Sequence, residues 1–328
     1  MKITITDVHK RYGDVVALDG LSLTIPSGST FGVLGTNGAG KSTLFGLLVG
    51  HDRPDEGTIE VGGLDVEEAG HRVRERVGFL PEHSGFPASL TGREVLSTHA
   101  RIRGLEDRRE RIDEVLDLVG LADAADRAVS GYSNGMGRRL GLAAALLPEP
   151  PVLVLDEPTA GLDPRGVSAF HEIIRRIGRE TDATVVLSSH VLDEVERLCD
   201  EIAVLHDGRL RTAGAVDELC ATDSTVTVRV WAPDGEAKPR LREAVATYLE
   251  ETAAGGDLEA TGGALEVTCE RDLAFDLVSR LESDLVGRFE VREPGLEAAF
   301  HRALDDSPDA GTVTTGTVGA AEAAEVSR

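Results

Sequence analysis

Two kinds of strand pattern recur along the larger, N-terminal part of the chain. Residues 4–12 and 17–35 alternate apolar and polar positions, which predicts strands, with a Pro-Ser-Gly turn inside the second segment. Residues 152–155 and 184–187 are short continuous apolar runs. Such runs indicate strands that are covered on both faces.

Helical periodicity appears between these strand patterns. Residues 41–50 follow a glycine-rich loop and predict a helix, and residues 93–105 and 107–122 repeat apolar positions at helical spacing. The last two segments predict a helical insert at roughly 90–130. Alternating strands and helices of this kind predict an α/β fold with a mostly parallel sheet.

A smaller second domain is predicted after the α/β domain. Residues 222–305 run strand, helix, strand, helix, strand, helix without a chemical motif, which predicts a small α+β accessory domain for dimerisation or regulation. Residues 306–328 have almost no bulky apolar side chain, so we expect a disordered tail. The predicted domains are therefore 1–220 and 221–305.

The charge balance argues against one class of partner. The formal net charge is −24, from 58 acidic and 34 basic residues, and aromatic residues make up 4% of the chain. A broad basic face is therefore missing, and we expect no nucleic-acid partner. The acidity is halophile-like, since a salt-rich cytosol screens such repulsion.

Cysteine spacing and hydropathy bear on where in the cell the protein is located. Cys199, Cys220 and Cys269 form no CxxC pair, so the sequence indicates neither a disulfide framework nor a zinc site. No apolar run approaches the roughly 18 residues that span a bilayer, and the N-terminal segment lacks a signal-peptide core. We expect a cytoplasmic protein that reaches the inner face of the cell membrane through a partner.

The strongest chemical motif is "GTNGAGKST" at residues 35–43. It follows an apolar strand pattern and opens a helix, which is the context that a phosphate-binding loop requires. Its glycines let backbone N–H groups turn toward a phosphate, and the helix N-terminus adds partial positive charge. Lys41 can then reach the β- and γ-phosphates, and the Ser42 hydroxyl can bind Mg²⁺.

Two acidic residues end the apolar run at 152–155. An aspartate is costly at the end of a buried strand unless a cation meets it, so Asp156 is a candidate Mg²⁺ ligand. Glu157 follows where a carboxylate could polarise an attacking water. An ordinary strand end would also explain the pair. The combination with the glycine-rich loop favours the catalytic interpretation.

A histidine follows the second apolar run. His190 lies at the end of the strand predicted at 184–187, at the sheet edge where ligands bind in such folds. A solitary histidine is more often structural. In this setting we favour a contact with the γ-phosphate.

The segment "GYSNGMGRRLGL" at residues 131–142 places a cap before an apolar helix. Ser133 suits the N-cap position, and residues 136–147 carry apolar side chains at helical spacing. The free amides at this end form a second anion-binding site. Since one helix end already holds the triphosphate, we infer that this one covers the nucleotide of a facing copy.

Together these motifs resemble the ATP-binding subunits of ATP-binding cassette (ABC) transporters. The resemblance covers about residues 1–215, with the motifs in the family's order and spacing. "GTNGAGKST" resembles the Walker A loop, "VLVLDEP" the Walker B strand, "YSNGM" the signature, and "AGLD" the loop that places Asp163 near the dimer seam. Tyr12 matches the aromatic residue that stacks on adenine, "VGFLPEHSGF" the loop coupled to the permease, and His190 the switch histidine.

The resemblance implies a P-loop NTPase of the ABC-ATPase type, with an antiparallel β subdomain and a helical subdomain at about 85–145. It also implies ATP and Mg²⁺ as cofactors, a homodimer and a separate membrane permease. The implied nucleotide contacts are Tyr12, Gly35, Asn37, Gly38, Gly40, Lys41, Ser42, Thr43, Ser133, Gly135 and Asp163. The implied catalytic residues are Lys41, Glu157 and His190. The implied Mg²⁺ ligands are Ser42, Glu82 and Asp156.

Two residues depart from the family pattern. Glu82 stands where the coupling loop normally has Gln, which leaves open the contact that its carboxylate makes. Asn134 stands where the signature normally has Gly. Because Asn is the non-glycine residue that best tolerates a left-handed backbone, we expect the loop to keep its shape.

The same variants occur in the family branch that pairs with separate permeases for drug and polysaccharide export, whose members often end in a "LEAAF"-like helix, here residues 296–300. Three segments, "LTGREVL" among them, are also similar to the ATPase of the copper-maturation system for nitrous-oxide reductase. A soluble cassette ATPase acting on ribosomes or DNA conflicts with the single motif set and the acidic charge. A small-molecule kinase would leave "YSNGM" and His190 unexplained.

Overall fold

The computed structural model describes residues 1–105, 108–221, 225–252, 257–261, 263–292 and 295–305. The tail expected to be disordered, 306–328, lies outside the described residues. The described chain divides into two compact units, Met1–Ala215 and Val216–Asp305. The boundary between the units thus falls after residue 215, whereas the sequence pattern places it after residue 220.

The first unit contains both strands and helices. Its described strands are β1 (Ile3–Tyr12), β2 (Val15–Ile25), β3 (Thr30–Gly35), β4 (Glu56–Val61), β5 (Leu64–Asp65), β6 (Val77–Leu80), β7 (Val152–Leu155), β8 (Thr184–Ser189), β9 (Glu201–His206) and β10 (Arg209–Ala215). Its described helices are α1 (Lys41–Leu48), α2 (Gly70–Arg76), α3 (Gly92–Ile102), α4 (Arg108–Leu118), α5 (Asn134–Leu146), α6 (Pro164–Glu180) and α7 (Leu192–Leu198).

A six-stranded sheet forms the centre of this unit, in the order β10-β9-β3-β8-β7-β6. The strands from β9 to β6 pair in parallel, and β10 is antiparallel to β9. Every residue of β3, β7 and β8 is buried, which the continuous apolar runs in β7 and β8 predict. Gly32 lets α7 approach β3, because a Cβ atom there would lie 2.6 Å from Val195 Cγ1.

A second sheet is antiparallel, in the order β2-β1-β4-β5. Alternate residues of β1, such as Ile3 and Ile5, are buried in a hydrophobic core shared with Leu44 and Phe45 of α1. This sheet corresponds to the antiparallel β subdomain implied by the motifs. The core therefore links the antiparallel sheet to the helix that follows the glycine-rich loop.

The helical insert consists of α3, α4 and the start of α5, joined by short 3₁₀ turns at Ala122–Ala124 and Val129–Gly131. Thr91 and Glu94 form a capping box at the beginning of α3, in which each side chain bonds the other residue's backbone N–H. Val95, Leu96, Val115 and Leu116 are buried. The apolar period that predicts these helices is thus the period of their buried face.

The second unit is an antiparallel sheet with helices. Its described elements are α8 (Val216–Ala221), β11 (Thr225–Trp231), α9 (Ala237–Thr252), β12 (Asp257–Thr261), β13 (Ala264–Glu270), α10 (Arg271–Arg280), β14 (Arg288–Arg292) and α11 (Leu296–Asp305). The strand order is β12-β13-β11-β14. The simple alternation of strand and helix predicted from sequence is wrong at β12, which forms a hairpin with β13. Its five residues contain no β-branched or aromatic residue before the terminal Thr261, so the strand signal is weak.

Within the residues that the structure describes, no helix is both long enough and apolar enough to cross a bilayer.

Candidate functional site

The loop at residues 36–40 joins β3 to α1 at the carboxyl edge of the six-stranded sheet. Gly38 and Gly40 have φ angles of +86° and +103°, which residues with side chains rarely adopt. A Cβ atom on Gly40 would lie 2.6 Å from the carbonyl oxygen of Ala17, so glycine is required there. No described side chain caps α1, and its first amides are available to an anion in the loop.

The side chain of Lys41, the first residue of α1, is 7% exposed and lies against the loop. Its Nζ donates to the carbonyl oxygens of Gly35 at 2.7 Å and Thr36 at 3.3 Å. The same atom lies 3.7 Å from Glu157 Oε1. These contacts bring the cation of one predicted motif to the carboxylate of another.

Glu157 follows β7 in a left-handed conformation, with φ of +42°. This conformation is uncommon for a residue with a side chain and costs of order 1–3 kcal/mol. Its Oε2 lies 2.9 Å from Nδ1 of His190, which follows β8. The glutamate side chain is 12% exposed and that of His190 is 58% exposed, so the pair extends from the wall of the site to solvent.

The hydroxyl of Ser188 links Asp156 and Glu157 through two hydrogen bonds. Its hydroxyl donates to Asp156 Oδ1 at 2.7 Å and accepts from the backbone N–H of Glu157 at 2.8 Å. Because Leu155 and Leu187 are paired in register, the residues that follow them are adjacent at the sheet edge. This hydrogen-bonded chain fixes the turn that carries Glu157.

The glycine-rich loop, Lys41, Glu157 and His190 surround one cleft of about 560 Å³. The predicted site residues that line it are Tyr12, Asn37, Gly38, Gly40, Lys41, Ser42, Thr43, Glu82, Glu157 and His190. Val15, Val16, Ala17, Ala39 and Ala160 complete the lining. Ligands in such folds bind in a crevice at the carboxyl ends of the parallel strands, which is the position of this cleft.

Tyr12 lies on β1 at the side of the cleft and is half exposed. Its hydroxyl donates to Asp52 Oδ2 at 2.5 Å, and the buried Lys10 donates to Asp52 Oδ1 at 3.1 Å. The hydrogen bond to Asp52, followed by burial, raises the pKa of Tyr12, and the same bond lowers the pKa of Asp52. The phenol therefore stays protonated and its ring is held in one orientation.

Five predicted site residues lie outside the cleft lining. Gly35 and Asp156 are buried behind its wall. Ser133 caps α5 by accepting from the N–H of Met136 at 3.2 Å, and Gly135 lies in the first turn of that helix. Asp163 caps α6 by accepting from the N–H of Gly166 at 2.6 Å.

The prediction of a left-handed backbone at Asn134 is wrong. Its backbone is not left-handed, because α5 begins at this residue, two positions before the predicted start. The Nδ2 atom of Asn134 donates instead to the carbonyl oxygen of Gly161 at 2.7 Å. Its side chain therefore ties the signature segment to the loop before α6.

Sequence reasoning missed three residues that organise the site: Ser188, Asp52 and Arg138. The polar end of the apolar run before His190 could have indicated Ser188, since parallel pairing aligns it with Asp156. Arg138 shares a helix face with the buried Gly141 and Leu142, and a cation on such a face indicates a satisfied internal charge. The sequence around Asp52 gives no comparable signal.

Comparisons with known proteins agree with this geometry. The family model described as "ABC transporter" matches residues 18–160. The chain is 46% identical over 222 residues to a daunorubicin resistance ATP-binding protein, DrrA3, of Streptomyces coeruleorubidus, with 67% of this chain and 70% of that protein covered. It is 37% identical over 303 residues to the Nod factor export ATP-binding protein I of Burkholderia thailandensis, with 92% and 96% covered.

The fold agrees as well. The solved structure of cbiO1 from Clostridium perfringens, part of the ABC transporter complex cbiONQ, matches with a TM-score of 0.62 and 31% identity, covering 67% of this chain and 90% of that chain. The shared fold, the phosphate loop and the sequence identity of the relatives lead to one assignment. The chain belongs to the ABC transporter family, as an ATP-binding subunit of the ABC ATPase type.

Proposed function

We propose that two copies of this chain enclose two Mg-ATP molecules and hydrolyse them to drive a separate exporter-type membrane permease. The observation that carries the proposal is the cleft in which the glycine loop, Lys41, Glu157 and His190 meet. A site that only binds an anion would not need the Glu157 carboxylate, and a carboxylate acting alone would not need the phosphate-binding loop. ATP hydrolysis requires both, because the phosphates must be held while water is directed at the terminal one.

ATP would enter with its base against the ring of Tyr12 and its phosphates over the loop before α1. The loop amides and the α1 N-terminus would bind the β-phosphate. Lys41 would exchange its carbonyl contacts for the β- and γ-phosphate oxygens, which are the better acceptors for an ammonium group. Its 3.7 Å contact with Glu157 places that exchange next to the carboxylate.

The donor set fits Mg²⁺, which takes oxygen ligands and keeps several waters. Ser42 and Asp156 would hold the ion together with phosphate oxygens, and Glu82 is a further acidic residue of the cleft lining. Among the described residues there is no group of three or more His, Cys, Asp or Glu able to hold a metal by themselves, so the phosphates would complete the site. When bound, the ion neutralises charge that develops on the phosphates.

Glu157 would orient and polarise a water for in-line attack on the γ-phosphate. The water would pass a proton toward the carboxylate as its oxygen bonds to phosphorus and the bond to the β-phosphate oxygen breaks. His190, hydrogen-bonded to Glu157, would contact the γ-phosphate from the solvent side. Lys41 would stabilise the charge on the transferring group.

The facing copy would supply the rest of the pocket. Ser133, Gly135 and Asp163 lie outside the cleft lining of their own chain. The first amides of α5 would bind the γ-phosphate held by the other copy, and loss of that phosphate would release the two copies from one another. The proposal is therefore a homodimer in which each nucleotide joins two chains.

The names of the relatives support an exporter as the membrane transporter that this ATPase drives. They are described as resistance and export ATP-binding proteins. On this proposal the chain is cytoplasmic and binds the membrane through its permease. The more specific match to a copper-maturation system stays a prediction that neither the relatives nor the site supports.

Steady-state phosphate release by the purified chain tests the proposal. We expect Mg²⁺-dependent ATP hydrolysis that Lys41→Met abolishes and that Lys238→Met, a change at an exposed lysine of α9, leaves intact. Equal hydrolysis by both variants would contradict the assigned site. Hydrolysis by the purified chain, combined with neighbouring reading frames that encode no multi-span membrane protein, would favour a soluble ABC-type ATPase instead.

A further inference from the structure

Arg138 lies in the second turn of α5 and is 6% exposed. A guanidinium group has five N–H donors. Here the acceptors are five backbone carbonyl oxygens, at Pro158 from Nε (3.1 Å), at Pro81 and Glu82 from Nη1 (2.6 and 2.7 Å), and at Asp156 and Glu157 from Nη2 (3.1 and 2.9 Å). One buried side chain therefore joins α5 to two separate segments of backbone.

The two segments are the continuations of adjacent parallel strands, β6 and β7. One segment carries Glu82 and the other carries Glu157, so the same guanidinium bonds the backbone carbonyls of both glutamates that line the cleft. Burial disfavours a charged guanidinium and lowers the pKa of Arg138. The planar guanidinium has five donors and can bond both backbone segments at once, which an ammonium group cannot. This geometry is the reason to keep a cation here despite the cost of burying it.

The turn at Glu157 needs such support. Its φ of +42° is strained, and strained backbone persists where surrounding contacts over-determine it. Ser188 holds the N–H of this residue, and Arg138 holds its carbonyl oxygen and those on either side. Without the guanidinium, the carbonyls of Asp156 and Pro158 would lose this partner, that of Glu157 would keep only the N–H of Ala160, and the turn could relax.

We propose that Arg138 is a positioning residue for ATP hydrolysis, which holds Glu157 and Glu82 in register with the N-terminal end of α5. This inference rests on the proposed function. The end of α5 would contact the nucleotide of the facing copy, while the two carboxylates would serve the nucleotide of their own chain. Arg138 thus links the two nucleotides, since displacement of α5 moves the carbonyls that orient Glu157.

The chain provides a matched control in Arg139. This neighbouring arginine also donates to two carbonyls, of Val119 and Gly120 at 3.0 Å each, but these lie at the end of α4, and neither residue lines the cleft. We expect Arg138→Lys and Arg138→Met to lower kcat by roughly 10- to 100-fold, the effect of a misplacement of about 1 Å at a reacting group. Binding of a fluorescent ATP analogue should change by less than about threefold, because the loop and Lys41 are untouched.

Rescue separates positioning from general destabilisation. Millimolar guanidinium ion should restore part of the activity of Arg138→Ala, and ammonium at the same ionic strength should not, because only the planar ion can bond both segments. Arg139→Met should keep kcat within about twofold of the parent value.

Three outcomes are decisive. If the parent hydrolyses ATP and the Arg138 variants keep its kcat, or lose it only in proportion to a loss of Tm that Arg139→Met shares, the inference is wrong. If Arg138→Ala is folded and guanidinium does not restore it, the positioning role is also rejected. If the parent itself fails to hydrolyse ATP, the proposed function fails and with it the premise.

Discussion

His190 Nδ1 and Glu157 Oε2 are 2.9 Å apart, while the other oxygen of the same carboxylate lies 3.7 Å from Lys41 Nζ. Both carboxylate oxygens thus have a nitrogen partner, and the three residues come from the ends of three different segments. The backbone of Glu157 is also fixed, through Ser188. A side chain held at this many points can direct a water without first being ordered by the substrate.

Glu157→Gln should abolish turnover while preserving nucleotide binding. Glutamine keeps the size of the side chain but removes the charge that polarises water, so we expect the hydrolysis rate to fall by about 100-fold or more. ATP should then hold two copies together, which light scattering would detect as a doubling of mass. Glu172→Gln, at an exposed glutamate of α6, should match the parent. Hydrolysis by Glu157→Gln at the parent rate would show that the general base is another group.

Ser133→Arg should inhibit the parent chain in mixtures. Its long cation would occupy the space above the first turn of α5, where the nucleotide of the facing copy is proposed to lie. Activity of the mixtures should therefore fall faster than the fraction of parent chain, as phosphate release at increasing variant ratios would measure.

Two controls accompany the Ser133 mixtures. Ser133→Ala removes the same helix cap at a cost of about 1 kcal/mol without adding bulk. Thr98→Arg adds the same charge to an exposed position on α3. A strictly proportional fall in mixtures with Ser133→Arg would contradict the shared pocket.

The Tyr12–Asp52 hydrogen bond should affect affinity for ATP more than the chemical step. Tyr12→Phe and Asp52→Asn each weaken the contact that orients the ring, and loss of one such bond costs about 1 kcal/mol. We expect KM for ATP to rise about three- to tenfold for each variant, with kcat within about twofold. The double variant should be no worse than the poorer single one, since both changes remove the same bond. Additive effects on KM would mean that the two residues act separately.

A partly buried carboxylate on α7 should contribute to acid sensitivity. Glu194 Oε2 accepts from Thr159 Oγ1 at 2.6 Å, and its Oε1 lies 3.8 Å from His171 Nε2. Burial opposes the charged form of Glu194, but His171 and the hydrogen bond from Thr159 outweigh it and lower the pKa below the ordinary value of 4.5. The folded chain therefore binds this proton less readily than the unfolded chain.

The sign of the pH effect follows from linkage. Stabilisation by Glu194 is complete above pH 4.5, the ordinary pKa, and is lost as the pH falls through the lower folded pKa. Glu194→Gln should lower Tm near neutral pH, and its difference from the parent should shrink in acid. Thermal melts across that range measure this, with the exposed Glu75→Gln as control. A difference that stays constant into acid would assign the effect to packing alone.

Sequence reasoning succeeds where the residues of a motif determine the local backbone geometry by themselves. The loop around Gly38 and Gly40 needs positive φ angles, and the strands that follow are marked by unbroken apolar runs, so their shared edge follows from parallel pairing. The cap at Ser133 is equally local. These features depend on neighbours in sequence, which a pattern can represent.

What sequence cannot give are contacts between distant segments. Arg138 and the segment after β6 are brought together by packing, and the Asp52 partner of Tyr12 lies 40 residues away in the chain. Asn134 shows the same limit, because backbone preference predicts a left-handed residue where a hydrogen bond to Gly161 supports a helix start. β12 is missed since its few apolar residues give no clear period.

The separation of two hydrophobic clusters along the chain has a consequence for how the protein can evolve. One hydrophobic cluster in it draws all its members from Val226 to Leu285, and the large cluster of the first unit draws its members from Ile3 to Leu205. A genetic crossover at the junction between Ala215 and Val216 would leave both clusters with every side chain they contain. Recombination at this junction can therefore join a different C-terminal unit to the ATP-binding unit while both of these hydrophobic clusters stay intact.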